Sequence, residues 1–347
     1  MKTGKTLVEL AQTLQDQLKT KKDYVADTRQ LTLGAVPGNG GYSLEIKGHD
    51  ILTVNDLAHN QIGDRLGIPK TYYDRMRTDA PGLLMGNVNH WFQNKPEKRM
   101  IRTISGKARA FLSDRYRPLD NFDLAEVVLP VIHEQGCYVE SCDLTETKLY
   151  VKAVNARIEG EIKQGDIVQA GVLISNSEVG CGSVRIEPLV YRLSCKNGLV
   201  SNDYAMKKYH VGRSGADFER GDVSLFFKDE TRMADDKAFW MKVRDVVSGA
   251  LSEAIFKQIV DKMKEAAGIK IEGDPVAVVE IVSEHLGLSK DEGSGVLRHL
   301  IEGGDLSLWG MVNAITRTSQ DLPDYDRATE FERFGGQVLY TPKLVKA

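Results

Sequence analysis

The hydrophobic pattern changes period twice along this chain. Residues 5–18 carry Leu7, Leu10, Leu14 and Leu18 at helical spacing and predict a surface helix. A charged connector, Lys19-Thr20-Lys21-Lys22-Asp23, follows it. Residues 28–33 and 42–47 read as a hairpin closed by a Gly- and Asn-rich turn, 34–41. That turn lacks the Gly-Lys-Ser/Thr ending of a phosphate-binding loop. Residues 54–66, 69–77 and 80–92 predict three short helices, with Pro69 and Pro81 in first-turn positions. The period then falls to two. Residues 100–104 and 108–113 form a second hairpin across Gly106, and Asp120-Asn121 caps a helix over 122–135. Four strand-like runs follow at 138–143, 148–153, 167–175 and 183–194.

From Asp235 the period returns to 3.6. Trp240, Val243, Val247, Leu251, Ala254 and Ile255 line one long helix reaching about residue 267. Helices at 275–286, 291–302 and 306–318 come next, with Ser289 and Asp305 as caps. Residues 331–334 carry a last turn before an irregular tail. The pattern predicts an α+β fold: an antiparallel sheet crossed by helices, followed by an all-helical C-terminal unit. It divides the chain into an N-terminal helix (1–24), an α+β body (25–228) and a helical unit (229–347). The Gly-rich, charged stretch 210–228 is the expected link.

Composition narrows the class. The net charge of -3 and 41% apolar content describe an ordinary globular chain with no global basic footprint. No apolar run approaches the roughly 20 residues of a membrane span, and the N-terminus carries no signal-like segment, so a cytoplasmic protein is expected. Cys137, Cys142, Cys181 and Cys195 fit no zinc or disulfide spacing and read as free thiols. The seven histidines are scattered and form no metal motif. No cofactor is expected.

Positive charge is local. Between Lys95 and Arg117 stand Lys95, Lys98, Arg99, Arg102, Lys107, Arg109, Arg115 and Arg117, against only Glu97 and Asp114. Strand alternation places Arg109 with Phe111 on one face, with Arg115, Tyr116 and Arg117 just beyond. A second block supplies Arg185, Tyr191, Arg192 and the cluster Lys207-Lys208-Tyr209-His210. Guanidinium groups bind phosphate with two parallel hydrogen bonds, and exposed rings stack on bases. The plainer alternative is a solvated basic hairpin with Phe111 in the core and Tyr116 against Pro118. Glu178 is expected to pair with a cation such as Arg185. Asp143, Glu146 and Lys148 make the best case for a Mg²⁺-dependent nuclease, but Glu-x-Lys also occurs at Glu45 and Glu161, so the signal is unspecific. On Trp309-Gly-Met-Val-Asn313-Ala-Ile-Thr316-Arg317, Asn313 and Arg317 could reach a partner, although helix packing explains the pattern.

The blocks 109–121, 176–198 and 309–317, with Tyr325-Asp-Arg-Ala and Glu332 after them, resemble the phage/plasmid-like protein family, a domain of unknown function numbered nine-thirty-two. Gly67-Ile-Pro69, Tyr72-Tyr73, Met76, Asn87-Val-Asn89 and Trp91 extend the resemblance over nearly the whole chain; Cys181 stands where a small residue is expected. The resemblance implies a protein of phages, prophages and plasmids, with no assigned activity and DNA metabolism as its setting. By analogy of fold with strand-annealing recombination proteins, it also implies a homo-oligomer. The leading expectation is binding of single-stranded DNA without strong sequence preference. Phosphates would meet Arg99, Arg102, Arg109, Arg115, Arg117, Arg192, Lys207 and Lys208, and bases would stack on Tyr116, Tyr191 and Tyr209. The alternatives are the nuclease above and an interaction protein that counters host defence through its helical unit.

Overall fold

The computed structural model of this chain describes residues 1–36, 41–116, 118–201 and 229–346. The fold is α+β and is built on two sheets, not one. The first holds β1 (Lys22–Asp27), β2 (Leu31–Ala35), β3 (Tyr42–Ile46), β4 (Ile51–Val54), β5 (Lys98–Ile104) and β6 (Lys107–Ser113), in the order β1-β5-β6-β4-β3-β2. Its neighbours pair antiparallel except β4 with β6. The second holds β7 (Tyr138–Leu144), β8 (Leu149–Glu161), β9 (Ile167–Asn176), β10 (Arg185–Arg192) and β11 (Asn197–Val200), all antiparallel in the order β11-β10-β9-β8-β7.

One face of the first sheet packs under α2 (Asp56–Leu66), α3 (Lys70–Asp79) and α4 (Pro81–Asn94). Leu33, Leu44, Ile46, Ile101 and Phe111 meet Ile62, Met76, Leu84, Val88 and Phe92 there. The β2 edge is sealed by Asn89 of α4, whose amide accepts from Leu33 N at 2.8 Å and donates to Leu33 O at 2.9 Å. This occupies the backbone pair that an edge strand leaves open.

The second sheet is covered on both faces. On one, Leu149, Val151, Val172, Ile174 and Ile186 pack under α1 (Leu7–Thr20), α5 (Asn121–Glu134) and α6 (Asp229–Ala250). Farther along it, Val168, Ala170 and Val190 join the core of α7 (Glu253–Gly268), α8 (Pro275–Leu286), α9 (Lys290–Gly303), α10 (Leu308–Thr318) and α11 (Tyr325–Leu339). The opposite face lies against α11 and carries buried charge. Lys152 Nζ stands 2.7 Å from Glu332 with both side chains fully buried, and the Tyr325 ring is 4.6 Å from the same Nζ. Burial pulls the Lys152 ammonium below the usual lysine range while Glu332 opposes the shift. Arg333 donates to both oxygens of buried Glu187.

Several expectations need correction. Leu10 and Leu14 of the N-terminal helix sit in the core shared by α5, α6 and the second sheet. The helical C-terminal region likewise shares one core with β9, β10 and β11. The long helix is two, because Ser252 takes a cap conformation and accepts from Ile255 N. Ser307, not Asp305, caps α10. The expected last turn at 331–334 is part of the 15-residue helix α11, which runs on into the expected tail as far as Leu339. The expected link 210–228 lies outside the described residues.

Among the helices over the first sheet, His59 is fully buried, with Nδ1 2.8 Å from the Tyr73 hydroxyl and Nε2 without a partner. Burial, with Arg77 nearby, lowers its pKa from 6.5 to about 4. The folded protein therefore resists protonation that the unfolded chain accepts. This contribution to stability is complete above pH 6.5 and is lost as the pH falls through 4. Urea unfolding between pH 7 and pH 4 should show His59→Gln losing about 3 kcal/mol less stability than the parent over that interval.

Candidate nucleic-acid interface

The first basic block forms a junction between the sheets, against the segment 176–184 that precedes Arg185. The hairpin β5–β6 presents one face to α2 and α4 and the other to the segment 176–184, which leaves β9 and returns into β10. Met100, Ala110 and Leu112 pack against Val179 of that segment. Neither face of the hairpin centre is wet.

The arginines follow from this. Arg102 is 2% exposed. Its guanidinium donates to both Asp23 oxygens at 2.9 and 3.0 Å, to Asp120 at 2.9 Å and to Glu178 O at 2.9 Å. Lys21 closes on the other Asp120 oxygen. Burial works against both charges. The surrounding bonds outweigh it, holding Arg102 above and Asp120 below the usual ranges. Arg99 is buried against Glu97 at 2.9 Å, over the Phe111 ring.

Arg109 is turned by a β-bulge. Arg102 pairs with Ala110 and Thr103 with Ala108, so Arg109 is the extra residue. The bulge rotates it away from the Phe111 face on which strict alternation puts it. It meets Glu178 at 2.9 Å instead. The other Glu178 oxygen accepts from Asn121 N at 2.6 Å, at the α5 N-terminus. Glu178, not Asp120, therefore caps that helix, and its cation is Arg109 rather than Arg185. Asn176 adds bonds to Leu119 O and Asn121 Oδ1, both 2.8 Å, and Gln61 links Val179 O to Phe111 N.

Other expected phosphate and stacking groups are also taken inward. Arg192 pairs with Asp166 at 2.5 Å, and Tyr191 is buried with its hydroxyl on Glu140 at 2.8 Å. Tyr116 is half-buried and donates to Ser177 O at 3.1 Å, and burial raises its hydroxyl pKa. Arg117, Lys207, Lys208 and Tyr209 lie outside the described residues. Arg99, Arg102, Arg109, Tyr191 and Arg192 thus each have an acidic partner inside the fold. No two-residue motif in the sequence exposes these pairings: Asp23 and Arg102, or Arg109 and Glu178, are far apart along the chain.

Three cations remain at the rim of this junction. Arg115 and Arg185 are exposed and Lys148 is half-buried, and none has a side-chain partner among the described residues. Tyr116, beside Arg115, bonds Ser177; a Cβ on Gly182 would stand 3.5 Å from Lys148 Cε; Arg185 pairs with Ser175, which pairs with Tyr150. Asp114 and Glu146 are exposed near this rim.

For the nuclease arrangement, Asp143 accepts from Leu144 N while Glu146 stands exposed on the β7–β8 turn. Among the described residues no three His, Cys, Asp or Glu side chains gather to hold a metal ion. No described helix is long and apolar enough to cross a membrane.

Residues 110–318, more than half of the chain, match a family model described as a domain of unknown function (DUF932). The matched span holds the rim cations and Glu178, while Arg99, Arg102 and Arg109 precede it. No curated protein and no solved structure matches the chain.

If the junction is a clasp, Arg102→Ala leaves the Asp23 and Asp120 carboxylates facing each other without the guanidinium between them. Chemical denaturation should show a loss of about 3–5 kcal/mol. Arg115→Ala, on the rim, should stay within about 0.5 kcal/mol of the parent.

Proposed function

We propose, for a chain that belongs to the DUF932 family, that it binds single-stranded DNA without sequence preference through the rim of Arg115, Lys148 and Arg185. The observation that carries this reading is the contrast in pairing. The arginines of the clasp are matched by carboxylates, whereas these three cations have no side-chain partner among the described residues. Unpaired surface cations gathered at one loop suit phosphate contacts, which orient a strand and carry no sequence information.

The small number of cations favours a single strand. A flexible backbone can draw adjacent phosphates onto a few cations beside one loop, whereas a duplex needs cations along its rigid axis. Tyr191 is buried with its hydroxyl on Glu140 and offers no stacking face, so the contacts of this reading are to phosphates. Asp114 and Glu146 weaken the local field, so binding is expected to be modest and strongly salt-dependent. Membership of a mobile element and strand annealing by assembled copies belong to the same proposal.

Fluorescence anisotropy with labelled oligothymidine at several salt concentrations tests it. The log–log slope should be negative, and substituting Arg115, Lys148 and Arg185 by Ala should flatten it by about 0.7 for each phosphate that no longer meets a cation. Unlabelled duplex should compete less well than unlabelled single strand. A slope unchanged in the triple variant, or no binding at low salt, would overturn the reading.

A further inference from the structure

At the opposite end of β10 from Arg185, the β10–β11 turn meets α9 and α10 around a cleft of about 240 Å³. Arg192 lines it from the end of β10, Cys195 from the turn, His299 and Glu302 from α9, and Asn313 and Arg317 from α10. Gly303, Gly310 and Ala314 leave the space between them open. Arg317 and Asn313 belong to the helical motif that the nucleic-acid reading does not use.

Two guanidinium groups converge here on one residue. Arg192 Nη1 donates to Cys195 Sγ at 3.1 Å, and Arg317 Nη1 donates to Cys195 O at 3.3 Å. Their charge partners differ. Asp166 takes Arg192 on one oxygen and Trp309 Nε1 on the other, at 2.5 and 3.0 Å. The carboxylates lining the cleft are engaged as well, Asp305 by Lys163 at 2.5 Å and Glu302 by His299 at 3.2 Å. Arg317 has neutral acceptors only, Cys195 O and the Gln320 side chain, and no carboxylate in pairing range among the described residues. A half-buried guanidinium without a counter-ion, opening on a cleft beside a second guanidinium, is the complement of an anion.

We propose that this cleft binds a phosphate group, free or as a small phosphomonoester, with Arg317 as the principal charge partner and Arg192 as the second donor. A tetrahedral oxyanion accepts hydrogen bonds from two directions, as these groups on separate elements offer them. A carboxylate offers fewer acceptor oxygens and a single charge. Cys195 is a free, half-exposed thiol at the meeting point of the two guanidinium groups, so it reports on occupancy.

The test is alkylation of the intact protein by iodoacetamide, followed residue by residue by peptide mass spectrometry. The probes are inorganic phosphate, a nucleoside 5′-monophosphate and acetate, at matched ionic strength and without polynucleotide, so the result is independent of DNA binding. With a phosphate probe at about ten times its Kd, Cys195 should react about tenfold more slowly, in proportion to the unoccupied fraction. Cys137 and Cys181 should be unaffected. Arg317→Gln should abolish the protection, and Arg317→Lys, which keeps the charge without the fork, should weaken it; the Lys variant carries the comparison if the Gln variant does not fold. Protection by the monophosphate but not by inorganic phosphate identifies a phosphomonoester as the ligand, and the reverse identifies free phosphate. Equal protection by acetate, protection that survives in Arg317→Gln, or no protection by either phosphate probe would overturn the proposal.

Discussion

The fold depends on one buried guanidinium. Arg102 lies between Asp23 of β1, Asp120 ahead of α5 and the Glu178 carbonyl of the segment entering β10. These groups belong to the first sheet, to the helix over the second sheet, and to the connection between β9 and β10. A charge in this position, cut off from water, is tolerable only while its partners stay in register. Arg109 and Glu178 repeat the arrangement a few residues away, with the same carboxylate also closing the α5 N-terminus. Apolar contact through Met100, Leu112 and Val179 supplies adhesion, and the charge network supplies the relative position of the sheets.

The same device recurs beneath α11. Lys152 and Glu332 are sealed from solvent, and Arg333 grips Glu187 two strands away, across Leu173 of β9. Hydrophobic surface alone would let α11 slide along the sheet, because apolar contact has little directionality. An ion pair with no water to replace either partner fixes the helix in one setting. Polar interior groups thus orient both junctions of the second sheet, and the cations that reach solvent are those the junctions do not use.

The hydrophobic periods make most elements legible. Helices α2, α3, α4, α5, α8 and α9 and the strands of both hairpins lie close to where the alternation puts them. What escapes has identifiable causes. β1 begins inside a run of charges, Lys21-Lys22-Asp23, that reads as a connector because its partner β5 lies far along the chain. β11 begins at Asn197-Gly198, a turn signal, while the real turn lies just before it with Lys196 in the left-handed region. α11 has its apolar stripe broken by Glu332 and Arg333, which are core residues only because Lys152 and Glu187 wait in the sheet. The basic hairpin is legible as a special segment, but its charge reads as a surface. Only long-range pairing distinguishes a guanidinium that meets solvent from one that meets an aspartate, and one bulge at Arg109 is enough to exchange the faces.

The direct test of the clasp is a double-mutant cycle at Arg109 and Glu178, using Arg109→Met, Glu178→Leu and both together, with unfolding free energies from urea titration. If this pair sets the junction, the two changes should couple by about 2 kcal/mol or more, the double variant being more stable than the sum of the singles implies. Additivity within about 0.5 kcal/mol would contradict the account, because it would mean that the two side chains do not feel each other across the sheets.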